Sequence, residues 1–137
     1  MAFEIHIHEE NIVFIRLHGQ SDLEENEQAR GEVMQLCHDT GIRSVLADCQ
    51  ELEVPSSITT VDLYNFGKTW DKNLVSRLAI VLPNNERNRG HIRFSETVAY
   101  NRGLNTRTFD KLKEALSWLY ELDGHDRSTA SESSGLC

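Results

Sequence analysis

No feature of this chain restricts its fold more than the spacing of its apolar residues, which changes period several times along its length. Residues 3–19, "FEIHIHEENIVFIRLHG", begin at period two: Phe3, Ile5 and Ile7 share one face, and Glu4, His6 and His8 the other. Glu9, Glu10 and Asn11 interrupt the pattern, and Val13, Ile15 and Leu17 resume it opposite Arg16 and His18. Two antiparallel strands joined by a short hairpin follow, each burying one face.

Helical spacing comes next. Ser21 or Asp22 stands as the cap, Glu24 and Glu25 favour the positive end of the helix dipole, and Ala29, Val33, Leu36 and Cys37 form one stripe ended by Gly41. The run "SVLAD" (44–48) has strand length and is followed by a second helical pattern with Leu63, Phe66, Gly67 and Trp70 on one side. "RLAIVLP" (77–83) reads as a further buried strand ended by Pro83. A helix over 89–102 places Phe94, Val98 and Tyr100 inward and stops at Gly103. "TRTF" (106–109) is a short edge strand, and Asp110 caps a last helix with Leu112, Ala115, Leu116 and Leu119 on one stripe.

The order ββαβαβαβα, with continuous apolar runs alternating with helices, predicts an α/β domain built on a mixed, mainly parallel sheet packed by helices. The chain of 137 residues is long enough for one such domain, placed at 1–122. From residue 123 onward the composition turns to "DGHDRSTASESSGLC", too poor in apolar surface to offset its ordering entropy, so 123–137 is expected to be a disordered serine-rich tail.

Charge and cysteine usage exclude several function classes. The net charge of -8 opposes nonspecific binding to nucleic acid. It is unevenly spread: residues 1–66 hold 13 acidic and 3 basic side chains, whereas 67–109 hold 3 acidic and 8 basic. No apolar stretch reaches the 18 residues of a membrane span, the start lacks the pattern of a signal peptide, and Cys37, Cys49 and Cys137 have no zinc-ligand spacing. A reduced, cytoplasmic protein is expected.

Candidate sites are few. Pro55, Ser56 and Ser57 fall where the second helix should open, and a serine hydroxyl accepting a hydrogen bond from an orphan backbone N–H there is worth about 1 kcal/mol, which explains a serine without any partner. In "PNNERNRGHIRF" (83–94) a loop leaves the carboxyl end of a buried strand and enters a helix, a geometry that suits an anion; Asn84, Asn85, Arg87, Arg89 and Arg93 are the candidate donors. His6 and His8 share a strand face but lack a third ligand, so no metal is expected. Cys37 lies on a helical stripe as a small core residue, and Cys49 lacks the electropositive surroundings of a reactive thiolate. No nucleophile–base pattern and no cofactor motif occurs, so no catalysis and no cofactor are expected. Trp70 and Trp118 fill the core or line an apolar ligand cavity.

The order of elements, with "RLAIVLPN" and above all "RTFDKLKEALSWL", resembles the SpoIIAA-like branch of the STAS superfamily. Its closing pattern is carried here by Arg107, Phe109, Glu114, Ala115, Trp118 and Leu119. The resemblance spans about residues 2–122 and implies a fold akin to bacterial anti-sigma-factor antagonists and to the CRAL-TRIO lipid-binding fold. In the antagonists an Asp-Ser-Ser-Gly turn follows the third strand and one serine is phosphorylated by a partner kinase. Ser56 and Ser57 match that pair, whereas Pro55 and Ile58 replace the Asp and Gly. The resemblance thus implies a non-catalytic regulatory protein that recognises a protein partner, with Ser56 and Ser57 as phosphorylation candidates. The alternative is a small-ligand carrier, holding a lipid under the helices or a phosphate or nucleotide group at 84–93. Pairing of two copies along an edge strand is a further option.

Overall fold

The structure, a computed structural model, describes residues 2–20 and 22–129. Nine elements follow one another: β1 (Ala2–His8), β2 (Ile12–Gln20), α1 (Leu23–Thr40), β3 (Ser44–Glu53), α2 (Thr60–Lys68), β4 (Arg77–Val81), α3 (Glu86–Asn101), β5 (Asn105–Phe109) and α4 (Leu112–Thr129). The strands form one sheet in the order β1-β2-β3-β4-β5, antiparallel between β1 and β2 and parallel from β2 onward. This is the mixed α/β architecture that the alternation of periods predicts. The edge strands are β1 and β5.

The sheet is covered on both sides. One apolar cluster joins Val13, Ile15, Leu17, Val45, Ala47 and Leu78 to Ala29, Val33 and Cys37 of α1 and Ala99 of α3. The other joins Ile12, Phe14, Leu46, Ala79 and Val81 to Ala115 and Leu119 of α4. The first half of β2 is therefore buried on both faces, which corrects the expected one-sided strand: α4 covers the face carrying Ile12 and Phe14, and only from Arg16 onward does that face open.

Local chemistry sets the boundaries. Asp22 caps α1 through a reciprocal box, accepting from the Glu25 N–H at 2.8 Å while the Glu25 carboxylate accepts from its own. Gly41 ends the helix at φ 79°, a left-handed conformation that costs glycine nothing. α3 differs from its expected course: it begins at Glu86, and Asn88, Ser95, Val98 and Ala99 face inward while Phe94 and Tyr100 are exposed. Its inner stripe carries polar side chains because they satisfy backbone groups, as Ser95 Oγ does by donating to the Leu63 carbonyl at 3.3 Å. α4 runs to Thr129, so 123–129 of the segment expected as a disordered tail are helical; 130–137 lie outside the described residues.

Candidate functional site

β3 runs five residues further than its apolar run suggests, and this extension builds the site. After Asp48 the strand takes in one extra residue against β2: Arg16 pairs with Asp48, but His18 pairs with Glu51. Asp48 anchors the bulge. Its buried carboxylate accepts from Arg16 Nε at 3.1 Å and from the Gln50 backbone and side-chain amides at 3.1 and 3.0 Å. The bulged strand then carries the chain past Leu52 and Val54 to Pro55.

Because β2, β3 and β4 are parallel, their carboxyl ends open at one edge of the domain, where ligands and partners of open α/β sheets are commonly met. There lies a polar cleft of about 410 Å³, bordered by Gln20, Glu51, Glu53, Ser56, Asn84 and Arg87 among others. The two regions singled out in the sequence thus face each other across one depression.

The serines do not cap α2. The Ile58 N–H donates to the Pro55 carbonyl at 3.1 Å, closing a turn in which Ser56 and Ser57 are the exposed central residues. The helix opens later, at Thr60, and its cap is Thr59: Thr59 Oγ1 accepts from the Asp62 N–H at 3.1 Å and the Asp62 carboxylate from the Thr59 N–H at 3.0 Å. This corrects the capping role expected of Ser56 and Ser57. The Thr-x-x-Asp spacing was the available signal.

On the opposite wall, three of the five expected anion donors, Asn84, Asn85 and Arg87, border the cleft; Arg89 and Arg93 do not. Most are committed within the protein. Asn85 caps α3 by accepting from the Asn88 N–H at 3.1 Å, and Arg87 donates to the Val54 carbonyl. Asn88, unnoticed in the sequence, is buried and staples the end of β3 to α3, accepting from the Val54 N–H at 3.3 Å and donating to the Leu52 carbonyl at 3.4 Å. Arg89 donates to the Pro83 carbonyl and pairs with Asp110 at 2.6 Å.

That pair has a pH consequence. Hydrogen bonding and charge from Arg89 hold the exposed Asp110 carboxyl below its usual range, with Arg93 and Lys111 adding to the effect. A carboxyl depressed in the folded state stabilises above its unfolded pKa and ceases to do so as pH falls through the folded one. Arg89→Gln is expected to raise the Asp110 pKa towards the ordinary carboxylate value, about 3.9, read by NMR titration of the side-chain carboxyl. An unchanged titration would show that Arg89 does not control it.

The remaining candidates lie outside the cleft. His6 stacks on Phe14 with ring centroids 4.8 Å apart, and His8 lies 3.9 Å from Glu9. Among the described residues no group of three metal-ligating side chains converges. Burial pushes the Cys37 thiol up to about 11, and burial with the adjacent Asp48 pushes Cys49 up to about 12, so both stay protonated at neutral pH. Trp118 packs against Phe109 at 5.6 Å, and Arg107 lies over the same ring. Trp70 borders an internal cavity on the other side of the sheet. No helix among the described residues is long and apolar enough to cross a membrane.

An antiparallel edge strand on an otherwise parallel sheet, with helices on both faces, is the SpoIIAA-like fold. The chain is similar to the structure of the anti-sigma factor antagonist SpoIIAA in its unphosphorylated form, with a TM-score of 0.62 and 17% identity over 88% of this chain and 97% of that one. It is also similar to a protein of the DUF3478 family with a SpoIIAA-like fold from Shewanella loihica PV-4, with a TM-score of 0.56 and 21% identity over 86% and 92% of the two chains. The phosphorylated form of the Bacillus cell fate determinant SpoIIAA gives 0.52 and 18% over 85% and 98%. No family model matches this chain, and no curated protein matches it in sequence.

Proposed function

We propose that this protein is a non-catalytic, cytoplasmic regulator that recognises a protein partner through the Ser56–Ser57 turn and the exposed side of α2. The observation that carries this reading is that both serines are exposed, Ser56 at the rim of the cleft, while Thr59 does the capping, so neither is needed to start the helix. Val61 and Tyr64, 65% and 41% exposed on α2, extend the surface with apolar area of the kind a partner covers. A phosphate on either serine would add nearly two negative charges to a rim that already carries Glu51 and Glu53. Such a group would repel an acidic partner and attract a basic one.

The test is a photo-crosslinking amino acid placed at Val61 and, as a control on the opposite face, at Glu114. One discrete partner is expected from Val61 and not from Glu114, with its yield changed at least tenfold in the Ser56→Glu/Ser57→Glu double variant, downward for an acidic partner and upward for a basic one. Identical adducts from both positions, or adducts indifferent to the serine changes, would exclude this face. Mass spectrometry of the protein from its host decides the phosphorylation itself: a Ser56/Ser57 peptide unmodified under all growth conditions removes the switch.

A further inference from the structure

The two edges of the sheet are finished differently. On β5 the Thr108 N–H donates to the Glu96 carboxylate of α3 at 3.1 Å, and Thr108 Oγ1 donates to the same group at 3.3 Å. A side chain thus stands where another strand would pair. Among the described residues neither a strand nor a side-chain hydrogen bond covers the outer edge of β1.

The hairpin decides which groups of β1 look outward. The Asn11 N–H donates to the His8 carbonyl at 3.2 Å across the turn, so His8 directs its backbone towards β2. Direction alternates along an antiparallel ladder: Glu4 and His6 do the same, while Phe3, Ile5 and Ile7 turn their N–H and C=O away from β2. The outward groups lie on a strand whose chemistry mirrors itself. Residues 3–7 are Phe, Glu, Ile, His and Ile. Laid antiparallel on a second copy about a two-fold axis at Ile5, they set Ile5 against Ile5, Phe3 against Ile7 and Glu4 against His6. Every outward N–H then meets an outward carbonyl. Glu4 and His6 fall at the non-hydrogen-bonded positions, where side chains approach most closely, and an imidazole donates to a carboxylate whether neutral or charged. Moving the axis to Glu4 or to His6 sets like against like. Both groups are exposed and already steered: His6 stacks on Phe14 at 4.8 Å, and the Glu4 carboxylate lies 3.8 Å from His18 Nε2.

We propose that two copies of this chain associate through antiparallel pairing of β1 about Ile5, joining two five-stranded sheets into one and covering Ile7, which is 40% exposed in the single chain. The mirrored strand supplies the register, and the Glu4–His6 pairs supply the complementarity. A strand of 7 residues spans only about 24 Å, so the contact belongs among the small interfaces, with a dissociation constant of about 10–100 µM. It uses no residue of the Ser56–Ser57 turn and stands whether or not that turn meets a protein.

The test follows the full chain by sedimentation velocity and amide hydrogen exchange from about 5 µM to about 1 mM. A monomer–dimer equilibrium is expected, with exchange at Phe3, Ile5 and Ile7 slowed about fivefold to tenfold at the upper end and the amides of β5 unchanged. His6→Glu sets carboxylate against carboxylate and should weaken association about tenfold; Glu4→Lys, which removes the acceptor, should weaken it as well. The Glu4→Lys/His6→Glu double variant reverses both pairs across the axis and should return to within about threefold of the wild type. A monomer at every concentration, protection that rises on β5 instead of β1, single changes without effect, or a double variant no better than the singles would each overturn the assignment. Thermal unfolding of each variant separates lost association from lost folding. If a variant does not fold, the exchange pattern of the wild type decides alone.

Discussion

Gly67→Ala is expected to lower the unfolding free energy by about 2 kcal/mol, although alanine is the better helix former by about 1 kcal/mol. A Cβ at this position would lie 2.6 Å from the Ser95 backbone carbonyl oxygen and 3.0 Å from Val98 Cβ. The carbonyl belongs to the α3 backbone and cannot rotate aside, so the two helices must separate. Separation also strains the hydrogen bond from Ser95 Oγ to the Leu63 carbonyl. Gly31 and Gly90, in helices with open space around the missing side chain, serve as controls: alanine there should stabilise by about 0.5–1 kcal/mol. Urea unfolding of the three variants checks the contrast, and a Gly67→Ala variant as stable as the wild type would mean that α2 does not press on α3.

Leu46→Ala is expected to cost about 3–4 kcal/mol. Leu46 is fully buried in the third of five strands, on the face where Ile12, Phe14, Ala79 and Val81 meet Ala115 and Leu119 of α4. α4 is the helix that closes this face, so a void there both loses transfer energy and loosens its docking. Leu46→Met keeps the volume and should cost less than about 1.5 kcal/mol. Hydrogen exchange gives a second readout: amides of α4 should lose more protection than those of α1, which lies across the sheet. Equal losses on both faces would show that the cluster does not hold α4.

The fold was legible because its signals repeat. Alternation in β1 and β2, the stripe of α1 and the apolar runs of β4 and the first half of β3 each follow a single period over several residues, and Gly41 and Asp22 mark a helix end and start by their own conformations. The misread parts share a cause, namely that a backbone irregularity or a buried polar side chain broke the period. The second half of β3 was invisible because the bulge after Asp48 shifts Cys49 and Leu52 to a spacing of three, although both point into the core. The inner face of α3 was misjudged because Asn88 and Ser95 occupy positions where hydropathy looks for leucine, and this pushed Phe94 and Tyr100 inward on paper. At the site, the paired serines were visible but their role was not, since the Thr59–Asp62 box three residues later takes the cap. That the serine turn and the 84–87 loop border one cleft follows from parallel pairing in register, which one chain's pattern does not encode.

Leu52 and Val54 border both the polar cleft and the cavity beside Trp70, and their backbone groups are tied to Asn88 and Arg87 of α3. A single layer of chain is therefore the party wall between two compartments, hung from one helix. Whatever displaces that wall from one side is registered on the other, and thermodynamic reciprocity requires that two occupants, if each moves it, alter one another's affinity by the same factor.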